Sequence, residues 1–171
     1  FARPSPVERE RLEGMTAMAD TADDLGWTGG GCRCSQVRIA VSGPPLVTMA
    51  CHCTGCQRMT GSAFSLSSLY PADRFALVEG ETVPGGLKGG TRHHFCPACL
   101  SWLYTVPEGL DAFVNVRATM LDDARDFVPF VEVWTRERLP WAVTGAAHAF
   151  ETVPASDDFG RLIEAYAAQR R

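Results

Sequence analysis

Seven cysteines fall in three tight groups: Cys32 and Cys34 as C-x-C, Cys51, Cys53 and Cys56 as C-x-C-x-x-C, and Cys96 and Cys99 as C-x-x-C. Such spacings let neighbouring thiolates converge on one metal ion. Soft sulfur ligands select zinc over magnesium or calcium, while ligand type alone leaves iron open. Seven divides into four and three, and the two numbers mean different things. Four thiolates close a structural tetrahedron, whereas three leave a coordination position for chemistry. Cys51, Cys53 and Cys56 make a self-contained tridentate loop. Cys32 with Cys34 and Cys96 with Cys99 supply two bidentate arms, which complete a four-thiolate site with sulfur to zinc distances of about 2.3 Å. Spacing does not force this partition. The first group could instead bind with the second and leave Cys96 and Cys99 as a redox dithiol, although that motif belongs at a helix start in a βαβ pattern, which is absent from this sequence.

Other residues carry weaker signals. His52 lies between two ligands, and in an extended segment its ring points away from the metal, toward a structural or supporting role. His93 and His94 precede Cys96, where four cysteines already suffice as ligands. Trp102, Trp134 and Trp141 are expected in the core rather than around a site. Asp122 and Asp123 follow an apolar run and suggest a turn or helix start. The glycines at Gly29 to Gly31 and Gly85 to Gly90 lack the strand-loop-helix context and lysine of a phosphate loop, so turns are expected there.

The elements that must hold these groups are short and β-rich from Trp27 onward, punctuated by Gly and Pro. Val37, Ile39 and Val41 alternate. Further strands are expected over Leu46 to Ala50, Ala63 to Tyr70, Phe75 to Val78, Trp102 to Val106, Phe113 to Val116 and Phe130 to Trp134. A short helical turn after Cys53 should end near Gly61. At the C-terminus Ser156 can cap a helix, Asp157 and Asp158 suit its dipole, and Phe159, Leu162, Ile163 and Tyr166 share one face. No repeat or low-complexity linker divides the chain. The expected layout is an N-terminal extension over 1–26 with Met15 and Met18 as candidate starts, a zinc-binding domain over 27–155, and a helix over 156–171 packing on it. Within the extension, Ser5 to Leu12 mixes Glu and Arg and suggests a short solvated helix without a function.

Composition narrows the classes of activity. The chain has 171 residues, 46% hydrophobic and 21% charged, with a net charge of -4. That is enough chain to bury one ordinary core. An acidic balance argues against gripping nucleic acid, which needs concentrated basic surface. No run of about 18 apolar residues exists for a membrane span, and no signal-peptide core is visible. An odd cysteine count in close groups fits thiolates kept reduced better than a disulfide framework, so a cytoplasmic location is expected.

The segments Gly31-Cys-Arg-Cys34, Cys51-His-Cys-Thr-Gly-Cys-Gln-Arg-Met-Thr-Gly-Ser62 and Phe95-Cys-Pro-Ala-Cys99 together resemble the glutathione-dependent formaldehyde-activating enzyme family, which includes centromere protein V relatives. The resemblance covers about Trp27 to Val143, with Leu121-Asp-Asp and Pro140-Trp141. It implies a mainly β fold of the β-tent type with a short C-terminal helix. It also implies a structural zinc on Cys32, Cys34, Cys96 and Cys99 and a catalytic zinc on Cys51, Cys53 and Cys56. The implied reaction is a carbon-sulfur lyase reaction that forms or cleaves S-(hydroxymethyl)glutathione, with a thiol such as glutathione and an aldehyde as partners. Arg58, whose fork matches a carboxylate, and Thr60, Gly61 and Ser62 are candidate substrate contacts. A non-catalytic zinc-stapled binding module, or the same chemistry on a different thiol adduct, are the alternatives. Two positions depart from the family pattern: Ser35 and Leu100 stand where glycine is usual, which implies strain or a shifted turn, and Leu100 is a candidate for the cleft wall.

Overall fold

The computed structural model describes residues 26–86 and 90–170. The expected helix over Ser5 to Leu12 lies outside the described residues. Eleven strands follow: β1 (Trp27–Gly31), β2 (Arg38–Ser42), β3 (Val47–Cys51), β4 (Ser65–Pro71), β5 (Phe75–Glu79), β6 (Val83–Gly85), β7 (Arg92–Phe95), β8 (Trp102–Val106), β9 (Phe113–Arg117), β10 (Val131–Val133) and β11 (His148–Ala149). Helix α1 spans Thr54–Thr60 and helix α2 spans Ser156–Gln169. The fold is mainly β, as expected, with two sheets and a substantial C-terminal helix among the described residues.

The smaller sheet has the order β1-β2-β5. The larger runs β11-β10-β3-β4-β9-β8-β7-β6. Pairing is antiparallel except at one edge, where β10 runs parallel to both β3 and β11. Alternation in Val37, Ile39 and Val41 turns these side chains inward, each 1% exposed, against Tyr70, Leu103 and Val116 between the sheets. Burying side chains of this size contributes about 1.5–3 kcal/mol apiece. A second apolar cluster seats α2: Leu162 and Tyr166 pack with Val47, Phe130, Val131 and Val133. The Tyr166 hydroxyl also reaches Thr48 Oγ1 at 3.0 Å, which satisfies its one polar atom inside the core.

Three local expectations need correction. Gly29 to Gly31 form the end of β1, not a turn. A side chain at Gly30 would strike the Met120 carbonyl, so glycine there serves the close approach of β1 to Leu121. Gly85 likewise ends a strand. Finally, Ser156 is the first helical residue rather than the cap. Ala155 takes the cap position and makes no side-chain bond.

Candidate metal centres and an adjoining cavity

The four-cysteine group assembles from two hairpin tips. Cys32 and Cys34 sit in the turn between β1 and β2, and Cys96 and Cys99 in the turn between β7 and β8. Backbone bonds close both turns: Cys32 N donates to Val37 O and Cys96 N to Ser101 O, each at 3.0 Å. The four Sγ atoms lie within 4.8 Å of one another. Cys32 and Cys34 sulfurs are 3.5 Å apart, and Cys34 and Cys96 sulfurs 3.8 Å. A tetrahedron with zinc-sulfur bonds of about 2.3 Å has edges of about 3.8 Å, so the arrangement fits that ion. The tips do not shift to avoid the non-glycine residues. Ser35 at φ 62° and Leu100 at φ 59° both adopt the left-handed conformation a glycine would take. Leu100 is 70% exposed and is absent from the cavity wall described below, contrary to its expected place in a cleft.

The three-cysteine group forms where β3 runs into α1. Cys51 ends the strand and pairs with Ser65 of β4 and Val133 of β10. Cys53 caps α1, its sulfur accepting from Cys56 N at 3.3 Å. The Sγ atoms of Cys51, Cys53 and Cys56 also lie within 4.8 Å of one another. Without a cation these thiols compete for one negative charge. Cys53 is held down to about 2 by hydrogen bonds from Cys51 and then Cys56, while the Cys51 thiol is pushed far up by the same sharing and by burial. A divalent cation resolves the conflict by accepting all three as thiolates, which is the chemistry this donor set fits.

His52 is fully buried between two of these cysteines, away from the metal group as alternation predicts. Its Nε2–H donates to Glu132 Oε1 at 3.0 Å. Thr144 Oγ1 donates to the same oxygen at 2.9 Å, and Arg138 Nη1 donates to Oε2 at 3.0 Å. Burial opposes ionisation of Glu132, yet the bonds from Thr144 and His52 and the charge of Arg138 outweigh it, so its carboxyl lies below the ordinary range. Gln57 adds a clamp, its side-chain amide donating to His52 O at 2.7 Å and to Glu137 O at 3.0 Å. The loop is therefore fixed from behind by β10 and the chain after it.

Beside this loop lies a cavity of about 550 Å³ with Cys51 and Cys56 in its wall. Its floor is one face of the large sheet, carried by alternate residues: Met49 and Cys51 on β3, Ser65, Ser67 and Leu69 on β4, Phe113 and Asn115 on β9. Phe159 and Ile163 of α2 form part of the opposite wall. Trp102 and Trp134, expected in the core, belong to this wall, and Trp141 is 74% exposed. Trp102 is buried as well, so its place in the core and in the wall coincide. His93 also lines the cavity, bonded through Nδ1 to Thr105 Oγ1 at 2.9 Å and set edge-on to Trp102. Burial, then the Arg117 charge, lowers its pKa. His94 instead stacks on Tyr104. Neither histidine joins a metal group among the described residues.

Arg117 is a buried cation without a carboxylate partner among the described residues. It is 4% exposed, bonded through Nη1 to Ser67 Oγ at 2.6 Å and set 4.3 Å from the Trp102 ring centroid. Burial lowers it to about 10, opposed by the negative charge of Cys56 and Cys51. Nothing in the sequence marked it, because its pairing with Ser67 comes from the β4–β9 register.

The expected substrate contacts fall elsewhere. Arg58 is exposed on α1 and makes no ion pair among the described residues. Thr60 Oγ1 donates to Cys56 O at 2.8 Å, Gly61 takes the left-handed closing position at φ 61°, and Ser62 N donates to Gln57 O at 3.3 Å. These three end α1 near Gly61, as expected of the turn chemistry. None of the four lines the cavity.

A mainly β domain with two separate cysteine clusters, one of four sulfurs and one of three beside a cavity, defines a class of protein whose thiols could hold metal ions. The family profile described as glutathione-dependent formaldehyde-activating enzyme matches residues 27–137, and the chain belongs to that family. The match contains all seven cysteines, Arg117 and Glu132, and stops before α2. Among curated proteins no match is found. A crystal structure of a Rhodobacter sphaeroides protein is similar at 19% identity, covering 56% of this chain and 88% of that one with a TM-score of 0.46.

Proposed function

We propose that this protein is a zinc-dependent carbon-sulfur lyase that forms or cleaves a thiol-aldehyde adduct of the S-(hydroxymethyl)glutathione kind at the three-cysteine loop. The observation that carries the reading is the unequal pair of sites: Cys51 and Cys56 border a cavity large enough for a small molecule, while the other four cysteines close on themselves. In the forming direction a sulfur-carbon bond is made, the carbonyl π bond opens onto oxygen, and the thiol proton ends on that oxygen. No electron acceptor is needed. Zinc held by Cys51, Cys53 and Cys56 would supply a position at which a substrate thiol is stabilised as thiolate.

The chain's own residues divide the remaining work. Cys32, Cys34, Cys96 and Cys99 hold the two hairpin tips together as the structural site. Three thiolates around a divalent cation would leave a net charge of -1, which the buried Arg117 beside the floor residue Ser67 would offset. His52 and its Glu132 partner fix the loop, so its sulfurs keep their spacing without rearrangement. Where the thiol is glutathione itself, Arg58 on the exposed face of α1 would meet one of its carboxylates outside the cavity. A cytoplasmic location, where thiols stay reduced, goes with this reading.

Exchange NMR on a thiol-formaldehyde adduct tests it, with zinc-loaded protein, a Cys53→Ala variant and buffer alone. Faster exchange with the wild-type protein only is the expected result. Equal exchange in all three samples refutes catalysis and leaves a zinc-stapled binding module.

A further inference from the structure

We infer that the cavity beside the three-cysteine loop takes the non-reacting part of the substrate, and that this part is an uncharged apolar group such as an aryl or branched alkyl chain. This rests on the reading above for the reaction and goes beyond it for the substrate. The first observation is what the wall lacks. Among the described residues that line it, none is Asp, Glu, Lys or Arg. Glutathione carries two carboxylates and an ammonium, and placing such groups in a space without partners is strongly unfavourable. Arg117 shares the floor's face of β9 with Phe113 and Asn115, but it is 4% exposed and absent from the cavity wall, its guanidinium engaged by Ser67 and the Trp102 face.

The second observation is what the wall offers. Met49, Leu69, Phe113, Trp134, Phe159 and Ile163 surround a space whose volume of about 550 Å³ matches a small organic ligand. These residues come from strands of the sheet, the segment after β10 and α2, so the surface is built by the fold rather than by one loop. The third is an unmatched polar atom in the wall itself. Asn115 belongs to the wall, and its Oδ1 is buried with no hydrogen-bond partner among the described residues. An acceptor so placed suits one O–H or N–H on an otherwise apolar ligand. An apolar body, one hydrogen-bond donor and a sulfur directed at Cys51 and Cys56 together describe the hydroxymethyl adduct of an aryl or alkyl thiol.

The specificity test measures binding, not turnover. Benzyl alcohol probes the cavity without a thiol, and benzyl mercaptan and glutathione probe it with one. All three are titrated into the zinc-loaded protein by tryptophan fluorescence, since Trp102 and Trp134 line the space, with calorimetry as a second readout. Benzyl mercaptan should bind at least about tenfold tighter than glutathione, and Ile163→Lys should weaken benzyl alcohol by about tenfold or more. Phe159→Ala, which enlarges the cavity without adding charge, serves as a second variant, with zinc content and circular dichroism confirming that both fold. Glutathione binding as tightly as benzyl mercaptan overturns the inference, as does benzyl alcohol affinity that neither variant changes. If both benzyl probes bind selectively while no adduct exchange is accelerated, the apolar site stands and the lyase reading falls.

Discussion

Replacing Glu132 by glutamine keeps the shape of the side chain and removes its ability to serve three donors. In the native protein Oε1 accepts from His52 and Thr144, and Oε2 accepts from Arg138, with the Glu132 side chain 5% exposed and His52 fully buried. An amide offers one acceptor oxygen and one donor nitrogen. If its oxygen takes the place of Oε1, its nitrogen meets the Arg138 donor; if it flips, His52 and Thr144 lose their acceptor. Hydrogen bonds to charged groups are worth about 1.5–3 kcal/mol each. Arg138 has a side chain 34% exposed and can turn to water, which lowers the cost of the first arrangement. The expected loss is therefore about 2 kcal/mol, near the lower half of that range. For a chain of this length that corresponds to a melting temperature about 4–8 °C lower. Glu132→Ala, which strands all three donors, should cost about 3–5 kcal/mol. Urea denaturation of the zinc-loaded proteins measures both. A loss below about 0.5 kcal/mol for Glu132→Gln would show that this network is not what fixes the segment between Cys51 and Cys53.

Two further outcomes follow from the geometry. Because burial lowers the pKa of His93, the folded protein favours its neutral form; that contribution is complete above the ordinary histidine range of about 6.5 and is lost as pH falls through it toward the folded value. Unfolding free energy should thus drop between pH 7.5 and 5.5, and less steeply in His93→Gln; equal slopes would refute the assignment. Leucine in the left-handed conformation costs about 1–2 kcal/mol, while glycine's extra freedom in the unfolded chain takes back about 0.4–1, so Leu100→Gly should stabilise the zinc-loaded protein by about 0.5–1 kcal/mol. Denaturation at equal zinc content checks this, and an unchanged or lowered stability would mean the turn is not strained.

Much of the cysteine grouping was legible because its information is local. The ligand spacings are set within a few residues, and the grouping of Cys32 and Cys34 with Cys96 and Cys99 needed only that two hairpin tips meet. Strand positions were also legible wherever one face is buried: Trp102 to Val106 matches its expected bounds, and Val37, Ile39 and Val41 alternate as drawn. Glycine misled at Gly29 to Gly31, since the missing side chain there reflects the Met120 carbonyl close by, a contact across the fold. The cavity was illegible for the same reason. Met49 and Cys51 show a shared face of β3, but the wall exists only when Leu69, Phe113 and α2 arrive from distant parts of the chain. Trp134 gave no hint either, because its left-handed backbone at φ 58° turns it out of the strand pattern.

The two cysteine groups also differ in when they can form. Cys51, Cys53 and Cys56 are close along the chain and can chelate an ion in the unfolded polypeptide, before any sheet exists. Cys34 and Cys96 are 62 residues apart and come within 3.8 Å only once β1–β2 and β7–β8 have found each other. Closing so long a loop is slow relative to local chelation. Were both groups to take metal, the three-cysteine loop would load early and the four-cysteine group last, so the order of loading would follow from the sequence separation of the ligands.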